Sequence, residues 1–294
     1  MKIKNIIIAL LSVLIFSGCG GSKLDVTNNG EVMKKIDFTE VLWFAQRAQA
    51  AYSTEEEIKK AFPNTVRVAN IADIEVQYFL ELHHDEKRQI VSVRGTANLK
   101  NAKEDAEYLQ SKNKKLGIYV HSGFDEDAME LYKDLLPHLN KDYKVTLTGH
   151  SLGAAISTLL MMYLHEDGFI IDDSVNFGQP KVTNAKGVKH YGSLPLIRVV
   201  DENDVVPLVP PVTLLDSIHG VYEHLGEEVI LLETEYYVYL EKHDAQRKSI
   251  GSFWKNIGDE SVSEHFMDNY IKNIKSKLSH SVQVPYKQRE KYIP

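Results

Sequence analysis

Apolar residues recur along most of the chain at spacings that predict alternating helices and strands. Residues 38–53 carry apolar positions three and four apart, which predicts an amphipathic helix, and 54–62 predicts a short second one. The alternation and β-branched content of 74–82 and 89–94 predict a hairpin. The pattern further predicts helices at 123–139 and 263–274, strands at 173–177 and 196–200, and a hairpin over 228–232 and 235–240. This order indicates an α/β domain with a mostly parallel central sheet flanked by helices.

The junction of one strand with the helix that follows carries the strongest chemical signal. An apolar strand at 143–148 runs into an apolar helix at 152–164, and Gly149-His150-Ser151-Leu152-Gly153 joins them. A serine on so sharp a turn projects its hydroxyl into a cleft, and the flanking glycines remove Cβ atoms that would clash. Serine is also a favoured helix N-cap, but the strand and helix on either side favour a nucleophile. The chain is therefore predicted to be a serine hydrolase.

A serine hydroxyl needs a base within hydrogen-bond reach and a carboxylate that orients the base. In α/β-hydrolases these partners follow the serine in the order acid, then histidine. Acid candidates cluster at Asp201, Glu202 and Asp204, directly after a predicted strand. Chain order then leaves five histidines as the base: His219, His224, His243, His265 and His280.

Five short stretches, in the same order along the chain, narrow this choice. They are Val93-Arg94-Gly95-Thr96, Val120-His121-Ser122-Gly123-Phe124, Gly149 to Ala155, Asn176-Phe177-Gly178-Gln179-Pro180-Lys181-Val182 and Asn203-Asp204-Val205-Val206-Pro207. With these stretches the chain resembles the class 3, or fungal-type triacylglycerol, lipases over roughly residues 40–275. The resemblance implies an α/β-hydrolase fold, with a lid segment after the first oxyanion strand.

The resemblance also selects the partners of Ser151. It implies that Asp204 is the acid and His265 the base, because each lies in the matching stretch or position. Asp201 and Glu202 are then expected to be solvated loop carboxylates, with an acid at one of them as the alternative. His224 is expected to be structural, with a role as base as the alternative.

The oxyanion hole needs two or more donors aimed at the developing charge. Leu152 supplies one by position, through the backbone N–H directly after the nucleophile, and the resemblance implies that Thr96 supplies the second. The segment from 97 to 115 occupies the position of the lipase lid. Its apolar stripe is thin, which leaves a weakly interfacial lid or a polar, esterase-like cover as the two interpretations.

The first 37 residues have the pattern of a lipoprotein leader and tether. A short positive start and an apolar run predict a signal peptide over 1–18, and Phe16-Ser17-Gly18-Cys19 resembles the lipobox of bacterial lipoproteins. The resemblance implies cleavage before Cys19 and its acylation; an ordinary cleaved secretory signal is the alternative. Residues 19–37 are predicted to be a flexible tether, 38–277 the α/β-hydrolase domain and 278–294 a solvated C-terminal tail.

Charge and cysteine content argue against nucleic-acid binding and exclude an internal disulfide. The 294 residues carry a net charge of -7, which argues against a nucleic-acid partner, and the single cysteine excludes an internal disulfide. The chemistry requires no cofactor and no metal. The sequence therefore predicts a monomeric lipase, anchored by lipid to a membrane of the bacterial cell envelope, that cleaves lipid esters. A phospholipase A, a short-chain carboxylesterase and a non-catalytic envelope lipoprotein are the alternatives.

Overall fold

The structure is a computed structural model that describes residues 25–26, 32–71, 74–95, 109–210, 219–242, 244–245 and 264–293. The predicted signal peptide, Cys19, Thr96 and most of the predicted lid lie outside the described residues. Among the helices that are described, none is both long and apolar enough to cross a membrane.

Strands and helices alternate along the described parts of the chain. The strands are β1 (Asp25–Val26), β2 (Val32–Met33), β3 (Thr65–Ile71), β4 (Val76–His83), β5 (Arg88–Val93), β6 (Gln110–Lys112), β7 (Tyr119–His121), β8 (Lys144–His150), β9 (Ile171–Phe177), β10 (Thr183–Asn184), β11 (Leu196–Asp201), β12 (Tyr222–Glu223), β13 (Glu227–Leu231), β14 (Tyr236–Leu240) and β15 (Val282–Gln283). The α-helices are α1 (Phe38–Ala50), α2 (Glu55–Ala61), α3 (Ser122–Leu135), α4 (Leu152–Glu166), α5 (Ala185–Tyr191) and α6 (Met267–Lys275).

A nine-stranded sheet forms the centre of the molecule, in the order β15-β14-β13-β11-β9-β8-β5-β4-β3. The pairs from β5 through β8, β9 and β11 to β13 are parallel, and β3, β4 and β14 are attached antiparallel. The predicted hairpins β4–β5 and β13–β14 are both present. The mostly parallel sheet predicted from the sequence is therefore confirmed.

Helices cover both faces of this sheet and bury two apolar clusters. On one face α3 and α4 pack against β5 and β8; on the other, α1 and α6 pack against β9, β11 and β13. Helix α1 is capped by Asp37, whose side chain accepts hydrogen bonds from the N–H groups of Thr39 and Glu40. Helix α4 is buried around most of its surface, which explains why its sequence is apolar without a polar face.

Two predicted helices have different ends in the structure. The helix predicted at 263–274 begins only at Met267, because Phe266 has extended backbone angles (φ -72°, ψ 141°), so His265 lies in the turn before it. The helix predicted at 123–139 ends at Leu135 and continues as a 3-10 turn that contains Pro137. Proline has no N–H to donate, which favours an end to the α-helix here.

The C-terminal tail was expected to be solvated, and that expectation is wrong for its described part. Strand β15 pairs with β14 at the edge of the sheet, and Val284 is buried in an apolar cluster under it. Arg289 Nε lies 2.7 Å from Glu202 Oε1. Val282 and Val284 alternate as in a strand, but the run ends at Pro285 and is too short for the sequence alone to predict one.

Candidate active site

The carboxyl ends of the parallel strands bring the predicted residues to one edge of the sheet. Gly95 follows β5, Ser151 follows β8, Gly178 follows β9 and Asp204 lies three residues after β11. Parallel strands end at the same edge, where open α/β sheets bind their ligands. Four loops that are distant in sequence are thereby neighbours.

Ser151 stands on a strained turn between β8 and α4. Its backbone angles are φ 59° and ψ -129°, a conformation that a residue with a side chain rarely adopts. The turn is held by a hydrogen bond of 3.0 Å from the N–H of Ser151 to the carbonyl of Phe177. A Cβ on Gly149 or Gly153 would collide with neighbouring backbone. Ser151 occupies the N-cap position of α4, but its hydroxyl makes no capping hydrogen bond to the helix.

His265 and Asp204 form a buried pair. His265 Nδ1 lies 2.6 Å from Asp204 Oδ2, and both side chains have no exposed surface. The same carboxylate accepts a hydrogen bond of 2.6 Å from the Tyr270 hydroxyl and one of 2.9 Å from the Val206 N–H. Burial alone would raise the pKa of Asp204, but the charge of His265 and these hydrogen bonds outweigh burial and lower the pKa below its ordinary value.

The pairing fixes which nitrogen of His265 carries the proton. Because the ionised carboxylate only accepts, Nδ1 donates its hydrogen to Asp204, and the lone pair of a neutral ring is on Nε2. Nε2 is buried and has no hydrogen-bond partner among the described residues. An imidazole in this state is suited to take a proton from a neighbouring group.

Two contacts place this pair beside the serine turn. Gly178 directly follows the residue that accepts the Ser151 N–H, and its φ is 55°. A Cβ at Gly178 would lie 2.7 Å from His265 Cε1 and 3.0 Å from Asp204 Oδ2, so only glycine fits there. His150 Nε2 lies 2.7 Å from the carbonyl oxygen of His265. Ser151, Asp204 and His265 thus belong to one cluster.

One of the two predicted oxyanion donors is described. Leu152 is the first residue of α4, so its N–H has no acceptor in the helix, and the helix dipole adds partial positive charge there. Thr96 lies outside the described residues. Its neighbour Gly95 is described, and its N–H donates to the hydroxyl of Tyr52 at 3.2 Å.

The other acid candidates are not solvated, which corrects that expectation. Asp201 is only 6% exposed and accepts hydrogen bonds from the side chain of Asn273 and the N–H of Asn203. Glu202 pairs with Arg289. Loop position alone suggested solvent, whereas α6 and the C-terminal segment cover this loop. Neither carboxylate has a hydrogen bond to His265 among the described contacts.

Tyr270 was missed by sequence reasoning although it touches Asp204. It lies on the buried face of α6 with Met267, Ile271 and Ile274, a spacing that predicts only a core residue. Its hydroxyl donates to Asp204 and accepts from the Asp201 N–H at 3.1 Å. Within the described parts of the chain no group of three histidine, cysteine or acidic side chains is placed to hold a metal ion.

Parts of the chain are similar in sequence to known lipases. Residues 90–214 match the family model described as Lipase (class 3). The chain is 33% identical over 136 residues to the secreted mono- and diacylglycerol lipase 1 of Fusarium solani, covering 43% of this chain and 40% of that protein. It is 30% identical over 156 residues to a lipase of Rhizomucor miehei, covering 49% and 41%. The chain thus spans about two fifths of the length of these relatives.

Solved structures share the fold over more of the chain. The Lip2 lipase of Yarrowia lipolytica has a TM-score of 0.62 at 18% identity and covers 84% of this chain and 96% of its own. A triacylglycerol lipase structure described as having a serine protease triad at its catalytic centre has a TM-score of 0.56 at 21% identity, covering 73% and 84%. The protein therefore has the α/β-hydrolase fold of these lipases, and its segment 90–214 is similar to the class 3 lipase family.

Proposed function

We propose that this protein is a serine hydrolase that cleaves the carboxylic ester bonds of lipids. Ser151 is the nucleophile, His265 the base and Asp204 the acid. The observation that carries the proposal is the buried hydrogen bond of 2.6 Å between His265 and Asp204, next to a serine on a strained strand-to-helix turn. These are the parts that acyl transfer through a covalent acyl-enzyme requires.

Each group has one task in the reaction. Ser151 Oγ attacks the ester carbonyl as His265 Nε2 takes its proton, and His265 later passes that proton to the leaving alcohol. Asp204 keeps the ring oriented and stabilises the imidazolium. The N–H groups of Leu152 and Thr96 stabilise the oxyanion. A water molecule, activated in turn by His265, then releases the acid from Ser151.

Lipid esters are proposed as the substrate on two grounds. The relatives matched over part of this chain are named as mono- and diacylglycerol lipases or lipases. Cys19 stands in a lipobox-like sequence after a predicted signal peptide. Acylation of Cys19 would anchor a monomeric enzyme to the bacterial envelope, at the outer membrane or cell surface, near acyl-chain substrates.

Replacing Ser151 with alanine tests the catalytic proposal. Hydrolysis of p-nitrophenyl esters should fall to the background rate, while Ser157→Ala, which removes another buried hydroxyl from α4, should keep wild-type activity. Equal activity of Ser151→Ala and the wild type would contradict the proposal. It would instead favour a non-catalytic lipoprotein.

A substrate panel separates the possible ester classes. Mono-, di- and triacylglycerols, phospholipids and short-chain monomeric esters would be compared on one enzyme preparation. We expect turnover of the glycerides to exceed that of the others; a preference for phospholipids or for short monomeric esters would replace the lipase proposal.

The anchor has its own test. Cys19→Ser should move the protein from the membrane fraction to the soluble fraction and abolish incorporation of labelled palmitate. Acylation at Cys19 would be contradicted if Cys19→Ser stayed in the membrane fraction and the wild type incorporated no labelled palmitate.

A further inference from the structure

The hydroxyl of Tyr52 joins three separate segments of the candidate site. It accepts a hydrogen bond of 3.2 Å from the N–H of Gly95, the residue before Thr96. The same hydroxyl lies 2.8 Å from His150 Nδ1, and His150 Nε2 lies 2.7 Å from the carbonyl oxygen of His265. One chain of hydrogen bonds therefore runs from the oxyanion loop, past the serine turn, to the backbone of the base.

The chemistry of the groups fixes the direction of every bond in this chain. A carbonyl oxygen only accepts, so His150 Nε2 carries the hydrogen and donates it to His265. Nδ1 is then an acceptor, and the Tyr52 O–H must donate to it. Burial, followed by the charge of His265, lowers the pKa of His150 to about 3, so this neutral tautomer persists at neutral pH.

Packing leaves these groups little room for another arrangement. His150 is 2% exposed, and its ring centroid lies 4.6 Å from that of His265. A Cβ on Gly95 would lie 2.7 Å from the Tyr52 oxygen and 2.9 Å from Ser151 Cβ. Gly95, the Tyr52 hydroxyl and the serine turn are therefore packed too closely to admit a side chain at position 95.

Tyr52 is not an ordinary core residue. It is 37% exposed, and its ring lines a cavity of about 810 Å³ together with Phe62 and Phe266. Only the hydroxyl end reaches the buried chain of hydrogen bonds. The effects of the ring and of the hydroxyl can therefore be measured separately with a Tyr52→Phe substitution, which keeps the ring and removes the hydrogen bonds to Gly95 and His150.

We propose that Tyr52 is a positioning residue that holds Gly95 in place relative to the serine turn and the backbone of His265. It acts through Gly95 on one side and through His150 on the other, and it touches none of the reacting atoms. The inference rests on the proposed hydrolase function. It predicts that the loss of one hydroxyl outside the triad slows turnover without weakening substrate binding.

The test compares Tyr52→Phe with Tyr191→Phe. The hydroxyl of Tyr191 lies 3.2 Å from the carbonyl oxygen of Leu116 and 3.0 Å from Glu166 Oε1, both acceptors for its one hydrogen, so this control also loses a buried phenol's hydrogen bonding. On a monomeric p-nitrophenyl ester, Tyr52→Phe should lower kcat on the order of tenfold and leave KM within about twofold. The rate of inactivation by a small fluorophosphonate should fall in parallel, and Tyr191→Phe should change neither.

Three results would overturn the proposal. They are a wild-type kcat in Tyr52→Phe, an effect on KM alone, and an equal fall of kcat in both variants at an equal loss of thermal stability. Ser151→Ala, measured alongside, keeps the two proposals apart. If Ser151→Ala is inactive and Tyr52→Phe is normal, only the positioning role is wrong; if Ser151→Ala is active, the hydrolase proposal itself is wrong.

Discussion

Two buried histidines, His224 and His265, lie late in the chain and have opposite surroundings. His265 donates to the carboxylate of Asp204, whereas His224 Nε2 lies 2.6 Å from the carbonyl oxygen of Pro207. Burial and the positive charges of Arg198 and Lys181 hold the pKa of His224 well below its ordinary value. A ring facing cations cannot readily take up a proton, whereas the carboxylate beside His265 orients its ring and fixes its tautomer. The groups that contact the ring in the fold, more than its position in the chain, distinguish a catalytic base from a structural histidine.

We expect the largest difference in kcat/KM between substitutions of His265 and of His224. His265→Ala removes the proposed base and should lower kcat/KM by roughly 10⁴-fold or more. His224→Gln keeps a polar side chain near Pro207 and should stay within about tenfold of the wild type. Ester hydrolysis by both purified variants, at matched folded fraction, checks this prediction. Inactivation by His224→Gln and not by His265→Ala would reverse the assignment.

Asp204→Asn should give the next largest effect. The amide keeps the size of the carboxylate but can offer a donor to His265 Nδ1, which favours the wrong tautomer and gives no charge to stabilise the imidazolium. We expect kcat to fall by roughly 10³- to 10⁴-fold with little change in fold. Measurement of kcat and of the far-UV circular dichroism spectrum separates this effect from unfolding. Activity near the wild type would exclude Asp204 as the acid.

Tyr270→Phe should have a smaller effect on the same carboxylate. It removes a hydrogen bond of 2.6 Å to Asp204 and leaves the bonds from His265 and Val206 in place. A hydrogen bond to a charged group contributes about 1.5–3 kcal/mol, so kcat/KM should fall by roughly 10- to 100-fold. Steady-state kinetics on a monomeric ester provide the measurement. An unchanged kcat/KM would mean that Tyr270 only packs.

Asp201→Asn distinguishes the role of Asp201 from that of Asp204. It should change the free energy of unfolding more than the catalytic activity. Burial raises the pKa of Asp201 to about 6, from 3.8. A raised pKa means that the stability contributed by the protonated carboxyl is fully present below about pH 3.8 and is lost as the pH rises through 6. Asparagine does not ionise, so the variant should lack this loss.

Urea unfolding at pH 5 and pH 8 would check the Asp201 prediction. The wild type should lose more stability than Asp201→Asn between the two values, and the variant should keep kcat within a few-fold. A loss of kcat as large as that expected for Asp204→Asn would instead make Asp201 the acid.

The sequence predicted the parts of the site that depend on local pattern. The serine turn needs a strand, two glycines and a helix within about twenty residues, and all are contiguous around Ser151. The hairpin β4–β5 likewise follows from apolar alternation, and the mostly parallel sheet follows from short apolar runs and the order of helices and strands. The choice of Asp204 and His265 came from a family resemblance, since chain order alone left five histidines.

The parts that could not be predicted depend on contacts between distant segments. Tyr270 and Tyr52 lie on helical faces, or at helix ends, where their spacing indicates packing, and only the fold brings their hydroxyls to Asp204 and His150. The docking of the C-terminal segment is similar, since the Arg289–Glu202 pair joins residues 87 positions apart. Long-range pairs of this kind leave no periodic signal in a single sequence.

The most direct test of the central claim is the site and rate of covalent labelling by a fluorophosphonate, located by peptide mass spectrometry. With Ser151 as nucleophile and His265 as base, we expect one adduct, on Ser151, formed rapidly in the wild type and in His224→Gln and slowed by orders of magnitude in His265→Ala. An adduct on another residue, or equally fast labelling of Ser151 in His265→Ala, would contradict it.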